Sequence, residues 1–166
     1  ARQRHFPAIN WLSSYSLYPQ ALDQWYRDNI ASDFPEVRTE ISTLLQVEAE
    51  LQEIVQLVGS DALPIDQQLT LEVARMIREF FLQQNAFHDV DTYSDLKLQY
   101  DMAKAILSFQ EEAKKAIAGG AQLEDVVNVP ARTDLMRGRF EKGYSDKIGE
   151  LVSEMGKQIS SSMEAN

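Results

Sequence analysis

Cysteine is absent from this chain of 166 residues. That absence removes disulfides, thiolate metal sites and cysteine nucleophiles together, and it fits a reducing compartment. Imidazoles are nearly as scarce, with His5 and His88 the only two. Neither stands four residues from another ligand in the manner of a His-Glu-x-x-His helix. No apolar run approaches the roughly 18 residues that a membrane-spanning helix needs, so direct membrane insertion is not expected. No charged leader followed by an apolar stretch opens the chain. Positive charge is also short: 16 lysines and arginines face 26 acids, for a net charge of −10. A surface of that sign repels phosphates, so nucleic acid is not an expected partner, although a basic face can hide inside an acidic total. The first residue is Ala rather than Met. This suggests a processed or truncated chain, or a residue left from expression.

What remains is globular material. An apolar share of 44% with 25% charged residues supports one domain with a core. The apolar positions follow the spacing of helices. Leu22 to Ile30 reads as a short helix. Asp33 is a candidate N-cap, with Pro35 in the first turn and Glu36 completing a variant capping box. From there Val37, Ile41, Leu44, Leu45, Leu51, Ile54, Val55 and Val58 define one face up to a stop at Gly59. Pro64 to Leu82 makes the next helix, with Leu69, Val73, Met76, Ile77 and Phe80 on its face. Asp91 or Thr92 can cap a long helix that runs to Ala118 through Leu96, Tyr100, Ala103, Ile106, Leu107 and Ala113. Residues 126–129 read either as a turn of helix or as an extended piece. Pro130 opens another helix, weakened by Gly138 and Gly143. Ile148, Leu151, Val152, Met155, Ile159 and Met163 pattern the last one, which frays into Ser160-Ser161-Ser162. No internal repeat or strand pair stands out. The expected fold is all-α: a bundle of five to seven helices over residues 20–166, after an irregular segment over residues 1–19.

That first segment is rich in rings. Phe6, Trp11, Tyr15, Tyr18, Trp25 and Tyr26 place six of the fifteen aromatics in the first 26 residues. Rings at this density need cover. Either the bundle's own helices supply it, or the segment faces another domain.

Catalytic patterns fail one by one. Composition leaves room for a Ser-His-Asp triad, but no serine stands in a Gly-x-Ser-x-Gly elbow. His88-Asp89-Val90-Asp91 offers no thiolate and no third strong ligand, so it reads as a solvated loop or helix cap and no metal site is expected. Glu48, Glu50 and Glu53 read as a solvated face. Gly138 to Ser145 has the glycine spacing of a phosphate-binding loop, but Tyr144 stands where the lysine must be, and no strand precedes it. No catalytic residue is assigned.

Two features remain. Phe81-Leu82-Gln83-Gln84-Asn85-Ala86-Phe87 ends an amphipathic stretch and opens into a polar loop flanked by Phe87 and Tyr93. Spacing allows both rings to be local staples, or to be a flat wall for a planar ligand. Arg132, Arg137, Arg139, Lys142 and Lys147 form a local basic cluster in an acidic chain, with only three acids among residues 132–147. It reads as a mixed solvated surface or as a face toward a partner subunit.

The Phe81–Phe87 run, together with Arg4-His5-Phe6-Pro7-Ala8-Ile9-Asn10-Trp11-Leu12-Ser13-Ser14-Tyr15-Ser16, resembles the catalytic A subunit of archaeal A-type and vacuolar V-type rotary ATPases. The resemblance is strongest over residues 4–18 and 79–109 and weak after Gly120. It implies a C-terminal helical domain that follows a nucleotide-binding domain, with Phe87 and Tyr93 on the adenine side of the nucleotide. It implies no cofactor in this piece, the parent subunit binding ATP or ADP with magnesium through its P-loop domain. Implied partners are the upstream nucleotide-binding domain, the B subunits of the hexameric ring and the central shaft, in a cytoplasmic head peripheral to the membrane. The parent complex would hydrolyse or synthesise ATP and move protons or sodium ions; this piece would not act alone. The competing readings are a self-contained helical adaptor that binds partner helices and a small-ligand bundle enzyme, which lacks a catalytic constellation.

Overall fold

A computed structural model describes residues 6–14, 16–141 and 143–164. Among these residues the chain is all-α, with seven α-helices and no strand: α1 (Pro19–Asn29), α2 (Phe34–Val58), α3 (Ile65–Met76), α4 (Leu96–Ala118), α5 (Leu123–Val127), α6 (Pro130–Gly138) and α7 (Tyr144–Glu164). The ambiguous stretch after Gln122 resolves as the short α5, and the serine run stays helical inside α7.

The core forms around α4, which touches α2, α3, α5 and α7. Small residues let the neighbours approach: Ala103, Ala105, Ala113 and Ala116 are all buried, with Ile106 and Phe109 filling the space between. α3 adds Leu69, Val73 and Met76, and α7 adds Ile148, Met155 and Ile159. Gly138 ends α6 under the ring of Tyr144, where a Cβ would come within 1.8 Å of Cε2. Tyr144 in turn donates its hydroxyl to the Leu135 carbonyl at 2.5 Å. The glycine spacing that resembles a phosphate loop is therefore a tight helix corner.

Three capping and burial expectations need correction. Asp33 stands at the N-cap position of α2, but its side chain makes no cap bond. It instead accepts from the Tyr100 hydroxyl at 2.6 Å and from Lys104 Nζ at 2.9 Å, tying α2 to α4. Glu36 pairs with Arg27 across the α1–α2 corner. Neither Asp91 nor Thr92 caps α4; Asp95 does, accepting from Leu98 N–H at 2.7 Å. Glu48 is not on a solvated face. It is buried, 2.5 Å from Arg78, and burial pushes its carboxyl up against the opposing pull of that arginine.

α2 also outruns its cover. Val37, Ile41, Leu44, Leu45 and Leu51 are buried as expected, but Ile54, Leu57 and Val58 are exposed. These residues stand where α2 ends and the chain turns through residues 59–64 into α3, against which α2 packs. α1 has no buried residue; a stack of Tyr26 on Phe34 and the Arg38–Asp23 ion pair hold it to α2. No helix among the described residues is long and apolar enough to cross a membrane.

Candidate nucleotide-side loop

After Met76 the helix widens into a π-helical turn over Ile77–Leu82. Such turns often occur beside functional sites, because they redirect the adjoining chain. Here Gln83 N–H donates to the Arg78 carbonyl, and the chain then leaves the helix. The loop from Gln83 to Asp95 is built on Asp91. Its carboxylate is buried and accepts from Asn85 N–H at 2.6 Å. Gln84 Nε2 donates to the Asp91 carbonyl at 3.3 Å. Thr92 Oγ1 donates to the carbonyls of His88 and Asn85. His88 is a loop organiser: its Nδ1 accepts from the N–H groups of Val90 and Asp91, and its ring lies 5.0 Å from that of Phe140. Among the described residues no three histidine, aspartate or glutamate side chains gather around a common point.

This rigid root carries an uncovered tip. Phe87 is 98% exposed and Tyr93 86% exposed. Rings so bare close nothing, which removes the local-staple account of the loop. The two are not brought together, however. Phe87 lines an open cavity of about 360 Å³ with Phe6, Gln83, Gln84, Asn85, Ala86, Arg139 and Phe140, and Tyr93 is not on its wall. Two further rings line this cavity, Phe140 and Phe6, the latter exposed and anchored by Gln84 N–H, which donates to the Phe6 carbonyl at 2.7 Å. Phe6 belongs to the aromatic motif at the start of the chain. Nothing in its spacing links it to position 87, because the link is a contact between segments some eighty residues apart.

The basic cluster does not form one face. Arg132 is buried, donating to Glu72 at 2.7 Å and to the Val127 carbonyl at 2.6 Å, over the ring of Phe109. Arg139 turns into the base of the loop. In each the terminal nitrogens find partners within the domain while Nε is buried without a hydrogen bond. Arg137 is exposed, Lys147 pairs with Glu141 at 2.7 Å, and Lys142 lies outside the described residues. Of the two readings left open for this cluster, neither takes in Arg132 and Arg139 as surface charges, because both are engaged within the domain.

With this geometry in hand, comparison with known proteins is decisive. The family model of the C-terminal domain of V and A type ATP synthase matches residues 23–127. The chain belongs to this family. It is 52% identical over 159 residues to the A subunit of the A-type ATP synthase of Natronomonas pharaonis, covering 96% of this chain and 27% of that protein. It is 46% identical over 161 residues to the corresponding A-type protein of Methanosarcina barkeri, with coverages of 97% and 28%. It is 50% identical over 161 residues to the V-type ATP synthase alpha chain 1 of Clostridium tetani, with coverages of 96% and 27%. The chain spans about a quarter of the length of the curated relatives it matches. Within this V/A-type C-terminal domain the family match takes in the π-helical turn and the Phe87 loop, while α6 and α7 lie past its end.

Proposed function

We propose that this domain is the part of an A/V-type ATP synthase catalytic A subunit that closes the adenine side of the nucleotide site and passes that closure to the rotor. The observation that carries the proposal is an exposed aromatic ring, Phe87, on a loop whose base is held by hydrogen bonds. Apolar surface held that firmly in water has a partner to meet. A planar base suits the cavity, with Phe87 and Phe6 as flat apolar walls and the amides of Gln83, Gln84 and Asn85 around them. Tyr93, away from this wall, is a lesser contact. Each ring stack contributes roughly 1 kcal/mol, which tunes nucleotide affinity and is far too little to drive hydrolysis.

Phosphate and magnesium chemistry belongs to the upstream P-loop domain in this reading. The glycine pair at 138 and 143 offers no cradle, since Tyr144 fills the space over Gly138. Hinge closure of the helical domain onto the nucleotide domain would then couple occupancy to shaft angle. The exposed end of α2, with Leu57 85% exposed beside Val58 and Ile54, is the helix-turn-helix tip suited to the central shaft subunits. B subunits flank the domain in the ring, and the whole head sits in the cytoplasm, peripheral to the membrane. A self-contained adaptor is less well supported. It would cover its aromatic segment with its own helices, yet Phe6, Ile9, Leu12, Leu17 and Tyr18 are exposed.

The test is Phe87→Ala in the assembled ATPase. Nucleotide affinity is expected to fall about fivefold, the equivalent of one stack, with assembly intact. Unchanged affinity refutes the adenine role. The isolated chain should turn over no ATP, and submicromolar ATP binding by it would contradict the division of labour.

A further inference from the structure

Arg139 leaves the C-terminal end of α6 and crosses to the root of the Phe87 loop. Its Nη1 donates to the carbonyls of Gln83 at 2.7 Å, Glu79 at 2.8 Å and Phe80 at 3.2 Å. These groups close the π-helical turn, where the helix itself supplies no further donors. A cation there also faces the negative end of the helix dipole. On the returning side of the loop, Arg139 Nε lies 3.9 Å from Asp91 Oδ1. The guanidinium rests 4.6 Å from the ring of Phe140, and that ring meets His88. One side chain thus touches the point where the chain leaves the helix and the carboxylate that gathers the loop. Its hydrogen bonds and its ion pair go to that root. Arg132 makes the contrast, because the same chemistry there bridges Glu72 on α3 to the end of α5.

We propose that Arg139 is a positioning residue for the Phe87 loop: from outside the loop it sets the angle at which the Phe87 ring is presented, and so the affinity for an adenine nucleotide. The inference rests on the adenine reading above and adds a lever to it. The α6–α7 joint, which lies beyond the stretch matched by the family model, becomes the part of the domain that tunes the loop. A shift of α6 against α3 would move Arg139 and tilt the loop as a unit, because Asp91, Asn85 and Thr92 hold it together internally.

The experiment uses the assembled ATPase carrying Arg139→Gln or, separately, Arg139→Lys, which keeps the charge but not the planar fork and serves if the first variant does not assemble. Amide hydrogen exchange is followed without nucleotide, and equilibrium binding is measured with ADP as the probe. Exchange over residues 85–93 is expected to quicken at least about tenfold on the scale of local opening while α4 keeps its rates. ADP affinity is expected to fall several-fold, and combination with Phe87→Ala should add little further loss, because both act through one ring. Unchanged exchange in the loop overturns the inference, as does an affinity loss that multiplies fully with that of Phe87→Ala. If the loop loosens while ADP affinity stays constant, and Phe87→Ala is equally silent, the adenine reading has failed rather than the strut.

Discussion

Tyr26, Phe34 and Tyr100 form one aromatic group in this domain; Phe6 and Phe87, which share a cavity, and Tyr93, which stands apart from them, make a second set. The first is closed on itself. Tyr26 and Phe34 stack at 4.5 Å with 6° between their planes, Phe34 lies 6.1 Å from Tyr100, and Tyr100 donates to Asp33. The second group meets solvent, with all three rings exposed. Sequence composition does not separate the two groups, for both are rings near polar residues. What separates them is whether a neighbouring helix reaches them. The α1–α2 corner folds back onto α4, whereas the Phe87 loop projects beyond the end of α3 and leaves its ring bare. A fold that half-buries some rings against one another and leaves others bare marks the bare ones as surface awaiting a partner.

The contrast is broken most forcefully on the buried side. Phe109 is 0% exposed and carries Arg132 over its ring at 5.5 Å. Phe109→Ala is expected to cost about 3–5 kcal/mol in stability, since a cavity remains where the ring was. Chemical denaturation would show it as a lower midpoint, and a loss under about 1 kcal/mol would mean that the core is looser than its burial implies. Gly138→Ala comes next. Its new methyl would stand 1.8 Å from Tyr144 Cε2, so the ring must move from a buried seat. About 1–3 kcal/mol is expected for such overpacking. A neutral result would show that the α6–α7 corner can open, which would weaken the case for a rigid mount under Arg139.

The closed aromatic group supplies a smaller, pH-dependent effect. Asp33 is held below the usual carboxylate range, first by the Tyr100 hydroxyl and then by Lys104. Tyr100 is pushed up to about 12 by burial and by that same carboxylate. A depressed carboxylate contributes stability above its unfolded value, near pH 3.9, and loses it as pH falls through the lower folded value. Tyr100→Phe should therefore cost about 1 kcal/mol at neutral pH, toward the low end because Asp33 is partly solvated. Thermal melts of the two proteins should converge as the solution is acidified below that range. Melts that stay equally far apart in acid would assign the cost to lost ring contacts rather than to the hydrogen bond.

Much of the bundle was legible because helical spacing and burial are the same signal seen twice. Leu69, Val73, Met76, Ile106 and Ala113 fall on the expected faces and are buried. The misses share one cause. Asp33, Asp91 and Glu48 each look like local or solvated carboxylates, and each faces a group from elsewhere in the fold: Tyr100 and Lys104, Arg139, and Arg78. Sequence neighbours do not disclose such partners. The same holds for the basic cluster, whose charges look alike until Arg132 and Arg139 turn inward. It holds also for Phe6, which joins Phe87 only through the path of the chain. Family membership is likewise beyond reach of periodicity; it was carried by unusual motifs, and those motifs suggest the role that spacing left open.

The smallest expected effect bears hardest on the comparison. Phe87→Ala removes a large ring, and in a core that would cost several kcal/mol. Here the ring touches almost nothing. The loop's bonds run through Asp91, Asn85, His88 and Thr92, and the backbone N–H of Phe87 bonds to Asn85 Oδ1 whatever side chain the residue carries. The substitution should leave stability within about 0.5 kcal/mol, the range of ordinary surface changes. Asp91→Asn, which touches no ring, should cost more, because it disturbs a buried carboxylate with a 2.6 Å acceptor role. If the order is reversed and Phe87→Ala proves the more damaging, the ring is held by contacts within the domain, and its exposure no longer argues for a partner across the cavity.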